Sequence, residues 1–188
     1  MGAAERLARL FVEAFAPFAE ARPFLAEAPP LVATRPTPPH ILPVCSVLRA
    51  LRERSALVEA LAEAASALEW RQTYSAADFG AAFLQRYGWT ELFGLRGPIA
   101  SDRVAGGFLL LGAGVEYPAH AHEAEELYLP LAGRALWMRD DSGFFVRPPG
   151  EAIFHPAWTP HAMRTLEEPL LAAYLWRGGD LAAKSKIL

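Results

Sequence analysis

Apolar residues recur at helical spacing at the start of the chain. Leu7, Leu10, Phe11, Ala14, Phe15 and Phe18 form one stripe, which predicts an amphipathic helix that must pack on something. Pro17 and Pro23 are expected to break or kink it. The stretch "PPLVATRPTPPHILP", Pro29 to Pro43, carries six prolines; fixed φ angles and missing amide donors make it an extended connector. A longer pattern rich in Ala, Leu, Glu and Arg predicts a helix from about Ser46 to Trp70. "SAAD" (Ser75 to Asp78) then offers an N-cap with a carboxylate in the first turn, and a short helix through about Tyr87 follows.

From about Arg103 the pattern changes to short apolar runs separated by turn residues: "GGFLLLGAG", "ELYLPLAGRALWMRDDSGFFV", "EAIFHPAWTPHAM" and "LLAAYLWRGG". "DDSG" (Asp140 to Gly143) reads as a hairpin turn, and the close strand spacing points to an antiparallel sandwich or small barrel. The expected organisation is one folding unit, with residues 1–99 a helical extension packing on a β-barrel of residues 100–188.

The β-half also holds four of the five histidines, between His120 and His161, where rigid strands could fix their geometry. Residues two apart on a strand share a face, so His120 and His122 can aim at one centre. By the same parity Glu126 joins Tyr128, while Leu127, Leu129 and Leu131 form the opposite, apolar face; Glu125 falls in the apolar register, at the turn or behind the ligands. His161, held between the prolines of "PAWTPH" and the next strand, would supply a third nitrogen. An isolated His-x-His is more often a surface pattern than a metal site. Here Glu126, Tyr128, Gly133 and His161 accompany it, and three imidazoles with one carboxylate suit one divalent ion: zinc, iron, manganese or nickel. His155 is assigned a structural or supporting role, and His40, in the proline stretch, none.

Composition narrows the rest. At 53% hydrophobic and 21% charged residues the chain is globular, and a formal charge of −3 without a basic stripe or a basic helix-turn-helix argues against nucleic acid. One cysteine, Cys45, cannot form an intramolecular disulfide, which makes the cytoplasm the expected compartment. Charges at Glu5, Arg6, Arg9, Glu13 and Glu20 leave no apolar run for a signal peptide or membrane span.

Gly114 to Gly133 reads G-x5-H-x-H-x3-E-x6-G and matches the first motif of the cupins; "PPGEAIFHPAWTPH" resembles the second, with Thr165 where the family's closing asparagine is absent. The resemblance implies a double-stranded, jelly-roll-like β-barrel with the metal inside. The set Tyr117, His120, His122, Glu126 and Tyr128, the run His161, Ala162, Thr165, and the closing "LLAAYLW" resemble the bacterial cupin-type dimethylsulfoniopropionate lyases. That family implies metal ligands at His122, Glu126, His161 and in some states Tyr128, with Tyr117 and His120 lining the pocket. It also implies β-elimination of dimethyl sulfide from a small carboxylate substrate, with Tyr128, or secondly Tyr117, as the base. Aromatic faces could hold the sulfonium, the candidates being Trp137, Trp158, Tyr174 and Trp176, with Trp176 and Tyr117 preferred. Two other readings stay open: a metal cupin acting on another small carboxylate, and a non-enzymatic ligand-binding cupin. The N-terminal helices are expected to cap the barrel, mediate a homodimer, or both, and "FGLRGP" (Phe93 to Pro98) and the proline connector to border the barrel mouth.

Overall fold

The computed structural model describes residues 2–188. Its first helix, α1 (Ala3–Phe15), opens where the Gly2 amide donates to the Glu5 carboxylate at 2.9 Å, satisfying an otherwise free donor. It buries Leu7, Ala8, Phe11 and Phe15 and stops just before Pro17. Pro23 does not break a helix. It sits in the first turn of a short α2 (Arg22–Leu25), where the missing N–H has no helical partner to lose.

The long helix expected from Ser46 to Trp70 is divided. A 3₁₀ stretch runs over Pro43–Arg49, the charged segment 52–54 is non-helical, and α3 (Ala56–Ala64) starts afresh at Ser55, whose hydroxyl accepts from the Val58 amide at 3.2 Å. The cap explains the break: Ser55 serves better at a helix start than inside one. α4 (Ala76–Leu84) has the expected cap, the Asp78 carboxylate accepting from both the Ser75 amide (2.8 Å) and hydroxyl (2.9 Å). It ends short of Tyr87, because Tyr87 already belongs to a strand.

Strand structure therefore begins well before Arg103. β1 (Trp70–Arg71) and β2 (Tyr87–Gly94) join β4 (Val104–Leu111), β11 (Leu170–Arg177), β6 (Glu125–Ala132) and β9 (Ile153–His155) in that order, with β3 (Ile99–Ala100) parallel to β2. The second sheet runs β12 (Lys186–Ile187), β5 (Glu116–Ala121), β10 (His161–Thr165), β7 (Ala135–Arg139) and β8 (Phe144–Arg147), all antiparallel. The β7–β8 hairpin forms at Asp140 to Gly143, with positive φ at Asp140 and Gly143. No ladder of backbone bonds joins the two sheets among the described residues. What forms is a helical N-terminal part and two facing antiparallel sheets of cupin-like topology.

The first sheet is covered on both sides. Its outer face presents Leu92, Phe108, Leu110, Leu127, Leu129, Leu171 and Leu175 to a core shared with α1 and α3; its inner face sends Leu109, Tyr128, Ala172 and Tyr174 toward the second sheet. Double coverage explains why "FLLL" and "LLAAYL" are continuous apolar runs rather than alternating ones. Phe11 is the pin of the outer core, its ring meeting Phe15, Phe93 and Phe108 at 5.0 to 5.5 Å. Phe11→Ala is expected to cost about 3–5 kcal/mol in urea denaturation, whereas Phe145→Ala, at a side chain 54% exposed, changes stability by less than about 1 kcal/mol.

Candidate metal centre

Two strands of the second sheet supply the imidazoles. His120 lies in β5, His122 just beyond its end, and His161 opens β10, directly opposite His120 in register. All three side chains are buried, and one nitrogen from each lies within 4.8 Å of the others. Each ring donates Nδ1–H to a backbone carbonyl at 2.8 Å: His120 to Pro118, His122 to Ala124, His161 to Thr159. A carbonyl can only accept, so Nδ1 carries a proton in each ring and Nε2 is the nitrogen left for a further partner.

The first sheet supplies the carboxylate. Glu126 Oε2 sits 2.9 Å from His122 Nε2 and 3.1 Å from His161 Nε2, and Oε1 accepts from Trp176 Nε1 at 2.6 Å. The approach of His161 has the distance of a hydrogen bond but not its alignment, and leaves that buried nitrogen without a partner. Glu126 is only 1% exposed. Burial alone would raise its pKa, but the His122 charge and hydrogen bond hold it well below the usual carboxylate range. For His122 burial opposes the charged ring, yet the Glu126 charge and hydrogen bond outweigh it and raise the pKa. Burial and the neighbouring His161 charge push His120 well down, so that ring is neutral. Three imidazole nitrogens and an anionic oxygen thus converge on one buried point, and a bound cation would take the place of the proton between His122 and Glu126. Such a donor set fits a divalent transition ion, which satisfies the orphaned His161 nitrogen and the carboxylate together.

Beside this cluster lies a cavity of about 310 Å³ whose lining includes Glu91, Tyr117, Glu126, Tyr128, Tyr174 and Trp176. Tyr128 follows Glu126 on the inner face of β6, opposite in direction to Leu127 and Leu129. Burial, then the Glu126 charge and hydrogen bond, push its phenol well above the usual value. Tyr117 is raised as well, by burial and then by Tyr87 and Tyr74; its ring packs on Tyr87 and His120, and its hydroxyl donates to Tyr74 at 3.3 Å.

The remaining sequence candidates separate clearly. Tyr174 and Trp176 line the cavity, Trp176 with its ring 4.3 Å from that of His122. Trp137 stands behind Tyr128 at 5.0 Å, and Trp158 is 57% exposed. His155 is fully buried, stacked on His161 at 4.2 Å, and driven down to about 3 by burial and the His161 charge. It packs against one member of the three-histidine cluster without belonging to that cluster. Glu125 pairs with Arg177, and His40 Nδ1 bonds the Trp70 carbonyl at 2.7 Å. Arg96 of "FGLRGP" lines the cavity, and its loop is tied to the proline connector by the Thr34 and Arg35 amides on Pro98. Sequence reasoning missed Tyr87, Trp89 and Glu91. Their alternation in "YGWTELFG" was the available signal, hidden by the helical pattern running into it.

Purified protein is expected to bind one Co(II) per chain with the visible absorption of a nitrogen- and oxygen-ligated ion. His122→Ala and His161→Ala should weaken binding at least about tenfold, while His155→Ala should retain the full stoichiometry. Unchanged affinity in both of the first two variants would rule this centre out.

A family model described as dimethylsulfoniopropionate (DMSP) lyase matches residues 22–172. Over 124 residues, 66% of this chain, the sequence is 40% identical to the dimethylsulfoniopropionate lyase DddQ of Ruegeria pomeroyi, and the match spans 62% of that curated relative's length. The crystal structure of DMSP lyase DddQ from R. pomeroyi DSS-3 is similar at a TM-score of 0.87 and 32% identity, covering 98% of this chain and 95% of that one. A chain in the crystal structures of the DMSP lyases RdDddP and RnDddQII gives 0.83 and 33%, covering 98% and 99%. Matched in sequence over most of its length and in fold over nearly all of it, with the histidines and carboxylate gathered between its two sheets, the chain belongs to the DMSP lyase family of the cupin superfamily.

Proposed function

We propose that the protein is a metal-dependent carbon–sulfur lyase that cleaves DMSP to dimethyl sulfide and acrylate. The observation carrying this reading is the shared inner face of Glu126 and Tyr128, which sets a phenol beside the metal cluster and on the wall of the cavity. The two sheets are then the walls of a double-stranded β-barrel of the cupin type, with the site between them.

His120, His122, Glu126 and His161 would hold the ion, with Tyr128 next to them on the same face. When bound, a divalent ion supplies positive charge that favours the Tyr128 phenolate and the negative charge growing on the substrate carboxylate. Tyr128 takes the proton from the carbon next to the carboxylate. The C–H electron pair becomes the new C=C bond, the C–S bond breaks with its pair on sulfur, and neutral dimethyl sulfide leaves. The proton held by Tyr128 then returns to solvent. Trp176 fixes the orientation of Glu126 through the 2.6 Å bond, and the imidazole tautomers are set by the three backbone carbonyls. Tyr117, bonded to Tyr74 and packed against His120, shapes the wall opposite and is the second choice of base.

Headspace measurement of dimethyl sulfide with acrylate quantification tests the assignment. Activity should vanish on chelation and return with added metal. Tyr128→Phe should lower kcat by about 10² to 10⁴, and Tyr117→Phe by about tenfold or less, the worth of one hydrogen bond. A Tyr128→Phe enzyme as fast as the wild type would overturn the tyrosine base. A wild-type rate barely above background would assign the centre to another small carboxylate.

A further inference from the structure

We propose that Glu91 is the counter-charge for the cationic end of the substrate, at the opposite end of the cavity from the metal cluster; the inference rests on the lyase reading and deepens it. Register places the residue. Glu91 on β2 pairs with Gly107 on β4, Gly107 with Tyr174 on β11, and Tyr174 with Tyr128 on β6. Glu91 and Tyr128 therefore stand in one row on the inner face, three strand spacings or roughly 14 Å apart at the backbone. No side chain stands between Glu91 and Tyr174 in this row, because β2 and β4 approach so closely that a Cβ on Gly107 would overlap the Thr90 carbonyl. Two reaching side chains shorten the span to one that a short zwitterion fits, carboxylate toward the metal ligands and cation toward Glu91. Trp89, Tyr174 and Trp176 line the same cavity.

Glu91 is a cavity carboxylate that no cationic side chain among the described residues bonds, although the Arg96 and Arg35 charges act on it from nearby. Arg71 is paired with Glu69 at 2.7 Å, and Lys184 with Asp78 at 3.2 Å. The Arg96 guanidinium, which lies over the Trp89 ring, donates to the Leu181 and Ala182 carbonyls at 3.3 and 3.0 Å. Glu126 is engaged by His122 and Trp176. Glu91, 6% exposed, accepts the Arg96 and Gly97 amides on Oε1, while Oε2 has no hydrogen-bond partner among the described residues. Holding that loop needs an acceptor oxygen, not a charge. A buried carboxylate is costly to ionise, and burial indeed raises Glu91. A sulfonium has no N–H or O–H to donate, so only charge and aromatic faces can recognise it. Once the C–S bond has broken, dimethyl sulfide is neutral and the attraction to Glu91 disappears, which favours release.

The test uses an uncleavable pair: 3-(trimethylammonio)propanoate, which keeps the cation, and 4,4-dimethylpentanoate, an isostere that keeps the carboxylate but has an uncharged tert-butyl group in place of the cation. Calorimetry on metal-loaded wild type should show the cationic ligand binding about tenfold tighter. Glu91→Gln keeps an acceptor for the loop amides and removes the charge. It should erase the preference to within about twofold, leave binding of the tert-butyl carboxylate no weaker, and raise KM for DMSP without lowering kcat. A wild type without the preference, a preference intact in Glu91→Gln, or parallel weakening of both ligands would each overturn the proposal. DMSP turnover by the wild type separates the two readings. Cleavage without cation preference refutes the Glu91 assignment alone; preference lost in Glu91→Gln without cleavage refutes the lyase alone.

Discussion

A buried carboxylate between two sheets organises this molecule. Glu126 belongs to the first sheet, takes an indole N–H from that same sheet, and faces imidazoles mounted on the second. An isolated carboxylate in that position would be prohibitively costly, so the second sheet must deliver positive charge, as imidazolium or as a metal ion. The three histidines cannot turn away, because each is tied by Nδ1 to a carbonyl within two residues of itself. The gap between the sheets is thus fixed by local backbone geometry on one side and by one anion on the other.

The rest of the fold supports that gap from outside. An antiparallel sheet with one polar inner face could leave its outer face in water, but here the outer face is almost wholly apolar and α1 and α3 cover it. With both sides covered, β4 and β11 form a stiff wall on which Tyr174, Trp176 and, through β6, Tyr128 and Glu126 stand. Glycines let the strands of this wall approach their neighbours closely. A Cβ on Gly107 would overlap the Thr90 carbonyl, and Gly133, at φ +80°, passes so close to the Pro169 carbonyl that a Cβ would overlap it too. The glycine that closes the sequence motif is therefore a packing necessity at the end of β6.

Much of the site was legible because strand parity is strict. Parity within β6 put Glu126 with Tyr128 and set Glu125 apart, whereas His122 lies just past the end of β5, where parity no longer applies. Thr165, the departure from the cupin pattern, is explained by its place: it is buried, takes the Val115 amide at 2.8 Å and donates to the Gly112 carbonyl at 2.7 Å, tying the start of β5 to β10. Helical reading was less secure. Ala-rich composition ran across the break at 52–54 because propensity says nothing about an exposed charged segment followed by a cap, and α4 concealed β2 because Tyr87 continues an apolar pattern. The far end of the cavity was invisible for a deeper reason. Glu91 and Arg96 reach it only through the pairing of β2 with β4 and through a loop pinned by Arg35 on the Gly94 and Gly97 carbonyls, contacts between residues distant in sequence.

On the proposed reading, metal and base would be coupled through the same burial. Without a cation the cavity favours neutral phenols: Tyr117, Tyr128 and Tyr174 are all raised by desolvation, and Glu126 adds its own charge against a Tyr128 phenolate. Positive charge at the histidine cluster reverses both effects, since it neutralises the Glu126 field and attracts the phenolate directly. The tyrosine nearest the carboxylate is therefore the one whose acidity responds most to the ion. Tyr117, held by Tyr74 and stacked among Phe83 and Tyr87, sits in a network that resists such a change. On the proposed lyase reading, this asymmetry, rather than proximity alone, favours Tyr128 as the base: the anion that makes its phenolate costly in the free protein is also the group that would recruit the charge to stabilise it.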